Sequence, residues 1–564
     1  MKYLITIFLA TTSLCALTQP YEAKEIDYDG IDLHPPMEIE LILAGNFGEM
    51  RSNHFHTGLD IKTKSVEGQK IFSIEDGVIS RIRVSPWGYG NALYIDHPNG
   101  LTSLYAHLRN FPPRVDSLIH RWHEKTESGV LDEIILTDSF FVKKGELIAY
   151  SGNSGSSYAP HLHFEVRETE TEHALNPLNF GCYKKIIKDK TKPKITGIKI
   201  YAVTQKGYMI PGKSKYYSCT LQGNQWVVND NKPIDVSGLA TKNSKLAFGF
   251  HTTDKLDGAG NVCGVYHTTF SQDGNTLHEQ KTEYINFDHN RFLNSHQDYS
   301  EFHDRKKNIH KHFTTVVNPL PIYPTNNGKI DWASCAGNYN FKARDVHGNV
   351  QTLSFSISEP QGSYAKNPFD EAEKYYFPDS VNTILREDFQ ILMEAGTFYE
   401  PMQRYFKIDT VSKYLSPKYI FSDYEIPVQK YYDVRIRVPE KHQNLPPYKL
   451  GVGLITNKGY LSYKGGDFVD GWVEASSRDF GTFVLVLDTI APKIKPLDFQ
   501  NGKVISRYKN MQLEIQDNLS GVKIYKAYLN ENWVLMTYDR KKRKYIIPLD
   551  KYSKKYLKKG SNQV

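Results

Sequence analysis

This chain predicts a mainly β protein built from several modules, with an N-terminal antiparallel β-sheet domain followed by β-sandwich modules. Three observations carry that prediction. The 564 residues include 38 Tyr and 28 Phe, residue types that favour strands. Short alternating segments are cut at close intervals by Gly, Asn and Pro. The length exceeds what one hydrophobic core serves. Hydrophobic residues at 40% and charged residues at 24% describe an ordinary globular chain and exclude fibrous and disordered classes.

Taken in order, the first element is a leader over residues 1–18. Lys2 supplies the positive end, Tyr3 to Ala10 and Thr11 to Leu17 the apolar part, and Ala16-Leu17-Thr18 the small residues before a cut ahead of Gln19. The apolar part is shorter than the roughly 20 residues a membrane span needs, and no later stretch supplies one, so no transmembrane span is expected. Export to the periplasm or cell envelope follows. Anchoring as a lipoprotein through Cys15 ranks second, because Leu14 is bulky where a lipoprotein signal has a small residue. Removal of the leader leaves Cys182, Cys219, Cys263 and Cys335, an even number for a compartment where disulfides persist. Spacing leaves their pairing open.

Residues 40–182 read as the first domain, with strands at Gly77 to Ile82, Ala92 to His97 and His161 to Val166. The basic stretch from Tyr183 to Lys194 reads as a linker. Beyond it, Asp189-Lys190-Thr191-Lys192-Pro193-Lys194-Ile195 and Asp488-Thr489-Ile490-Ala491-Pro492-Lys493-Ile494 share one pattern, as if each opened a module. The expected division is 190–360, a β-sandwich; 361–487, a β-rich module; and 488–564. Arg344 to Val350 followed by Leu353 to Ile357 reads as the closing hairpin of the first of these, and Asp257-Gly258-Ala259-Gly260-Asn261 repeats its turn chemistry. These segments resemble immunoglobulin-like modules in a generic way, and the last one reads as half a sandwich.

The formal charge of +7 gathers near the end, in Arg540 to Lys544 and at Lys554, Lys555, Lys558 and Lys559. A solvated face is the first reading, and attraction to an anionic envelope surface the second. Nucleic acid is not expected as a partner of an exported protein.

The chemistry lies in the first domain, at His56-Thr57-Gly58-Leu59-Asp60, Tyr105-Ala106-His107-Leu108 and His161-Leu162-His163. A catalytic zinc centre takes three protein ligands and keeps a fourth position for water. The candidates exceed that need by a histidine. Alternate residues of a strand share a face, so His161 and His163 point the same way. Singly, each piece is weak. A helical His-Glu-x-x-His motif is absent, since no second His follows His278-Glu279.

Jointly, in this order, the motifs resemble those of the lysostaphin/LytM-type zinc metallopeptidases. The similarity extends through Glu67 to Ile71, Glu75 to Ile79, Gly88 to Asn91, Val142 to Ile148, Ser151 to Gly155 and Pro160 to Glu165. What the resemblance implies is one Zn2+ held by His56, Asp60 and His163, with His107 and His161 as catalytic histidines. It implies an endopeptidase acting on peptidoglycan stem peptides or cross-bridges. The alternative is a non-catalytic envelope scaffold or activator on the same fold, as in relatives that have lost ligands; here no position is missing.

Two departures stand out. Tyr158-Ala159 replaces the usual Gly before the His-x-His run, and the stretch from Arg109 to Phe140 is long for the family. His120 and His123 within that insert read as surface residues. His303, His310 and His312 read as members of a solvated loop, and the region after about 190 is expected to position the enzyme without taking part in catalysis.

Overall fold

Strand alternation builds the first domain directly. A computed structural model describes residues 26–135, 140–229, 232–324, 327–423, 425–505 and 508–564; the expected leader and Cys15 lie outside them. The strands of the first domain are β1 (Leu43–Gly45), β2 (Leu59–Lys62), β3 (Lys70–Phe72), β4 (Gly77–Val84), β5 (Asn91–Asp96), β6 (Leu101–Asn110), β7 (Leu131–Ile135), β8 (Phe141–Val142), β9 (Leu147–Ser151), β10 (His161–Glu168) and β11 (Ala174–Leu175). Their main sheet runs β1-β2-β10-β6-β5-β4-β7. Leu162, Phe164 and Val166 of β10 turn into one core with Ile61, Leu93, Ile95 and Leu108. The other face carries His161, His163 and Glu165, next to a smaller cluster of Ala92, Tyr94, Leu104 and Ala106. One strand thus serves packing with even-numbered residues and chemistry with odd ones.

The long insert forms helix α1 (Pro113–Thr126), begun by Pro113 and stopped at Glu127, whose φ is 45°. Val115, Leu118 and Ile119 face inward. His123 is a correction to the surface reading: it is 4% exposed, and its Nδ1 lies 2.7 Å from the Ser128 carbonyl. The expected linker is also partly structured, because Gly181–Ile186 is helical and Tyr183 packs on Phe164. Nor is the first domain built from local residues alone. Tyr284–Ile285 pairs with β11, and Leu256, Ile285, Leu293 and Leu320 enter the first core.

Beyond it, nine strands pair in one continuous order around an aromatic core, in which Phe250 stacks on Phe341 at 3.8 Å. This is where much of the Phe and Tyr content goes. Two five-stranded sheets then enclose Phe389, Tyr419, Val434 and Phe483. The last part has a four-stranded sheet, a two-stranded one and the helix Leu549–Tyr556, whose Leu549 and Tyr552 complete its core. The chain is mainly β, as expected, while the immunoglobulin-like label fits only loosely. His310 and His312 correct a second reading: they are 7% and 0% exposed, packed inside and not in a solvated loop. The four cysteines are free thiols, three of them buried. No helix among the described residues is long and apolar enough to cross a membrane.

Candidate metal centre

Three neighbouring elements bring the predicted residues together. β10 pairs with β2 so that His163 faces Asp60, and with β6 so that His163 faces Ala106, one residue before His107. His56 precedes β2 by one short turn. The result is a tight triangle: His56 Nε2 to Asp60 Oδ1 3.0 Å, His56 Nε2 to His163 Nδ1 3.0 Å, and His163 Nδ1 to Asp60 Oδ1 2.9 Å. All three residues are buried.

Outer partners decide which ring atoms face inward. His56 Nδ1 lies 2.8 Å from the Asn46 carbonyl, which can only accept, so Nδ1 carries the proton and Nε2 turns a lone pair inward. His163 Nε2 lies 2.8 Å from Glu165 Oε1 and likewise donates outward. Three lone-pair atoms therefore converge with at most one proton to share among them. A cation satisfies all three at once, and two imidazoles with one carboxylate suit zinc. His56, Asp60 and His163 fit the metal the resemblance implies.

Charges around the triangle agree. Although burial disfavours an ionised Asp60, the surrounding imidazoles of His56, His161 and His163 hold its carboxyl well below the usual range. Arg51 Nη2 adds a 2.8 Å bond to Asp60 Oδ2. Burial also disfavours a charged His163, but Asp60 and Glu165 outweigh it and raise its pKa to about 9. A metal would take the place of that inner proton, so loading and protonation compete.

His107 and His161 stand beside the triangle with ring centroids 4.7 Å apart. His107 Nδ1 lies 2.9 Å from Ser154 O, and His161 Nδ1 lies 2.8 Å from Ala159 O. Both carbonyls accept, leaving both Nε2 atoms free to take a proton. His161 Nε2 is 3.4 Å from Asp60 Oδ1. Burial, followed by the charges of His163 and His161, lowers the His107 pKa to about 3, so the ring is neutral at physiological pH. His107 has φ 59°, a conformation non-glycine residues rarely adopt, at a cost of about 1–3 kcal/mol. The pairing of β6 shifts register just after it, and the kink aims the ring at the centre.

Sequence reasoning missed the supports. Glu165 accepts from Tyr89 Oη and Thr57 Oγ1, each at 2.7 Å, and pairs with Arg167 at 2.8 Å. Its position two residues after His163 on a strand was the available signal. Asn46, Arg51 and Ser154 act through loop geometry that no spacing reveals.

The basic run near the chain end also reaches this region. Arg540 Nη1 bonds Ser156 Oγ at 3.1 Å, and its guanidinium lies 4.6 Å over the Trp87 ring. Lys541 Nζ bonds the Asn153 carbonyl. Lys526 pairs with Glu127 at the end of α1 at 2.8 Å. Two of these cations are thus committed to the loop that carries Ser154, rather than forming a free solvated face.

Comparison with known proteins finds relatives over the same stretch of chain. The family described as peptidase family M23 matches residues 54–121 and 117–177, and a Zu5-like domain matches residues 373–488. The chain is 34% identical over 112 residues to the DD-carboxypeptidase/endopeptidase Mpg of Neisseria meningitidis serogroup B, strain MC58, covering 20% of each. It is 31% identical over 111 residues to the peptidoglycan DD-endopeptidase ShyB of Vibrio cholerae serotype O1, again 20% of each. The chain thus spans about a fifth of the length of these curated relatives. The solved catalytic domain of lysostaphin from Staphylococcus simulans is 23% identical, with 24% of this chain and 87% of that one covered and a TM-score of 0.18. Residues 54–177 thus match the model of peptidase family M23, which supports the resemblance of this stretch to the lysostaphin/LytM-type enzymes.

Proposed function

We propose that the protein is an exported zinc endopeptidase that hydrolyses peptide bonds in peptidoglycan stem peptides or cross-bridges. The observation that carries this reading is the convergence of three lone-pair atoms from His56, Asp60 and His163 within 3.0 Å of one another, with two further imidazoles at its edge. The substrate class is supported by curated relatives named as peptidoglycan or DD-endopeptidases.

His56, Asp60 and His163 would hold the metal, leaving room for water. Zinc bound there would polarise the scissile carbonyl and lower the pKa of a water toward about 7. The residues do the rest. His107, held neutral, and His161, each with Nδ1 on a carbonyl and Nε2 facing the centre, take the proton from the attacking water and return one to the leaving amine. Protonated in turn, they face the developing oxyanion and stabilise it. Glu165 and the Asn46 carbonyl keep the metal-facing rings in register, and the carbonyls of Ser154 and Ala159 do so for the catalytic pair.

The region after about residue 190 has a structural share in this reading. It supplies Tyr284–Ile285 to the first sheet and Arg540 and Lys541 to the loop beside His107. Digesting purified peptidoglycan with the full-length protein, and identifying the new peptide ends by mass spectrometry, tests the proposal. New stem or cross-bridge ends that vanish on chelation and return with zinc are expected. A zinc-loaded protein that releases no such ends would overturn it.

A further inference from the structure

Away from the zinc triangle, near the junction after the first domain, the structure buries three carboxylates with no basic partner among the described residues. Asp189 lies before the strand Lys194–Thr204, Asp254 just after Ser244–Thr253, and Asp345 in the turn between Gly337–Arg344 and Val350–Ile357. They are 8%, 2% and 4% exposed. Among the described residues no Lys or Arg pairs with any of them. Ionised carboxylates so placed repel one another and are costly to bury.

The loops hold them in position all the same. Asp189 Oδ1 accepts the amides of Thr191 at 3.0 Å and Asp257 at 3.2 Å. Asp345 Oδ1 accepts the Asn349 amide at 2.8 Å and its Oδ2 the Asn349 side chain at 2.7 Å, while that same Nδ2 reaches the Asp189 carbonyl at 3.2 Å. What remains is left over. Among the described residues, Asp189 Oδ2 and Asp254 Oδ1 are buried with no hydrogen-bond partner. Ligand atoms of Asp189, Asp345 and His347 lie within 4.8 Å of one another, the span across one ion with oxygens at about 2.4 Å.

We propose that Asp189 and Asp345 bind one calcium ion that fastens the first domain to the nine-stranded sheet. Carboxylate oxygens are hard donors, which favours calcium over zinc, and His347 is already engaged, with Nε2 2.6 Å from the Ile187 carbonyl. The rival occupant is a proton. Burial and the neighbouring Asp345 carboxylate raise Asp189 to about 7, so it would hold one if no cation came.

The two residues come from separate stretches of chain, so an ion between them ties the junction to the turn that follows Gly337–Arg344. Full-length protein freed of calcium, with its zinc content verified, is titrated calorimetrically with calcium and its unfolding temperature followed. One calcium per chain and a rise in unfolding temperature are expected. Asp189→Asn with Asp345→Asn should weaken binding by about tenfold or more, since affinity follows ligand charge. That pair keeps shape and removes repulsion, so it should fold without calcium and cease to respond to it. Absence of calcium binding in the wild-type protein overturns the proposal without recourse to any variant. So does unchanged binding in the double variant, or a second equivalent of zinc that these substitutions abolish.

Discussion

Glu165 Oε1 lies 2.8 Å from His163 Nε2 and thereby settles which nitrogen of His163 faces the centre. Because the two residues are two apart on β10, they share a face, and the carboxylate sits behind the ring as a strut. Glu165→Gln keeps the shape but removes the charge and permits the wrong ring orientation. Zinc affinity should fall by about 10- to 100-fold, the usual cost of losing such an outer partner, read by competition with a coloured chelator. Wild-type affinity would show that Glu165 supports the sheet and not the metal.

His107 and His161 are predicted to matter for turnover and not for loading. His107→Ala and His161→Ala should each retain zinc and lose about 100- to 10,000-fold in rate on peptidoglycan fragments near neutral pH. Asp60→Ala with His163→Ala should instead lose the metal itself. The split between the two sets of variants is the informative outcome; zinc loss in the His107 or His161 variant would move that residue into the ligand set.

Strand period made one part of this site legible in the sequence, while the roles of its residues were named through the family resemblance. His161 and His163 share a face by period alone, and pairing with Asp60 and Ala106 follows from the sheet. The burial of His123, His310 and His312 was not legible, because polar neighbours in sequence say little when partners come from afar. His312 Nε2, for example, meets Thr268 Oγ1 at 2.9 Å, 44 residues away. The first core shows the same limit. Leu293 and Leu320 fill it from more than a hundred residues beyond the motifs, where local periodicity gives no sign of the destination.

Those buried histidines make acid stability a test. Burial lowers the pKa of His278 to about 3 and of His310 to about 4, and lowers His296 and His312 well below 6.5. Between pH 6.5 and about 4 the unfolded chain therefore binds protons that the folded one refuses. Stability is whole above pH 6.5 and falls as pH drops, by up to about 1.4 kcal/mol per pH unit for each histidine. Among the described residues, neither ring nitrogen of His278 has a hydrogen-bond partner. His278→Leu should flatten the dependence of unfolding temperature on pH over this window by about one proton. An unchanged slope would place the acid sensitivity elsewhere, zinc release included.

Arg540 and Lys541 give the last prediction, because they hold the loop on which His107 depends. Arg540 bonds Ser156 and Lys541 bonds the Asn153 carbonyl, while Ser154 between them fixes His107 through its own carbonyl. These contacts are exposed, so each is worth about 0.5–1.5 kcal/mol at most, and they cannot decide whether the metal binds. Their effect should appear in alignment. Arg540→Ala with Lys541→Ala is expected to keep full zinc content and to lower kcat/KM on small wall peptides by about threefold to tenfold. Exposed charges are screened over about 10 Å at 0.1 M salt, so raising ionic strength should lower wild-type activity toward that of the variant. Equal activity of the two proteins at low salt would mean that the terminal hairpin rests against the loop without tuning it, and that the part of the chain after residue 488 serves the enzyme only by where it carries it.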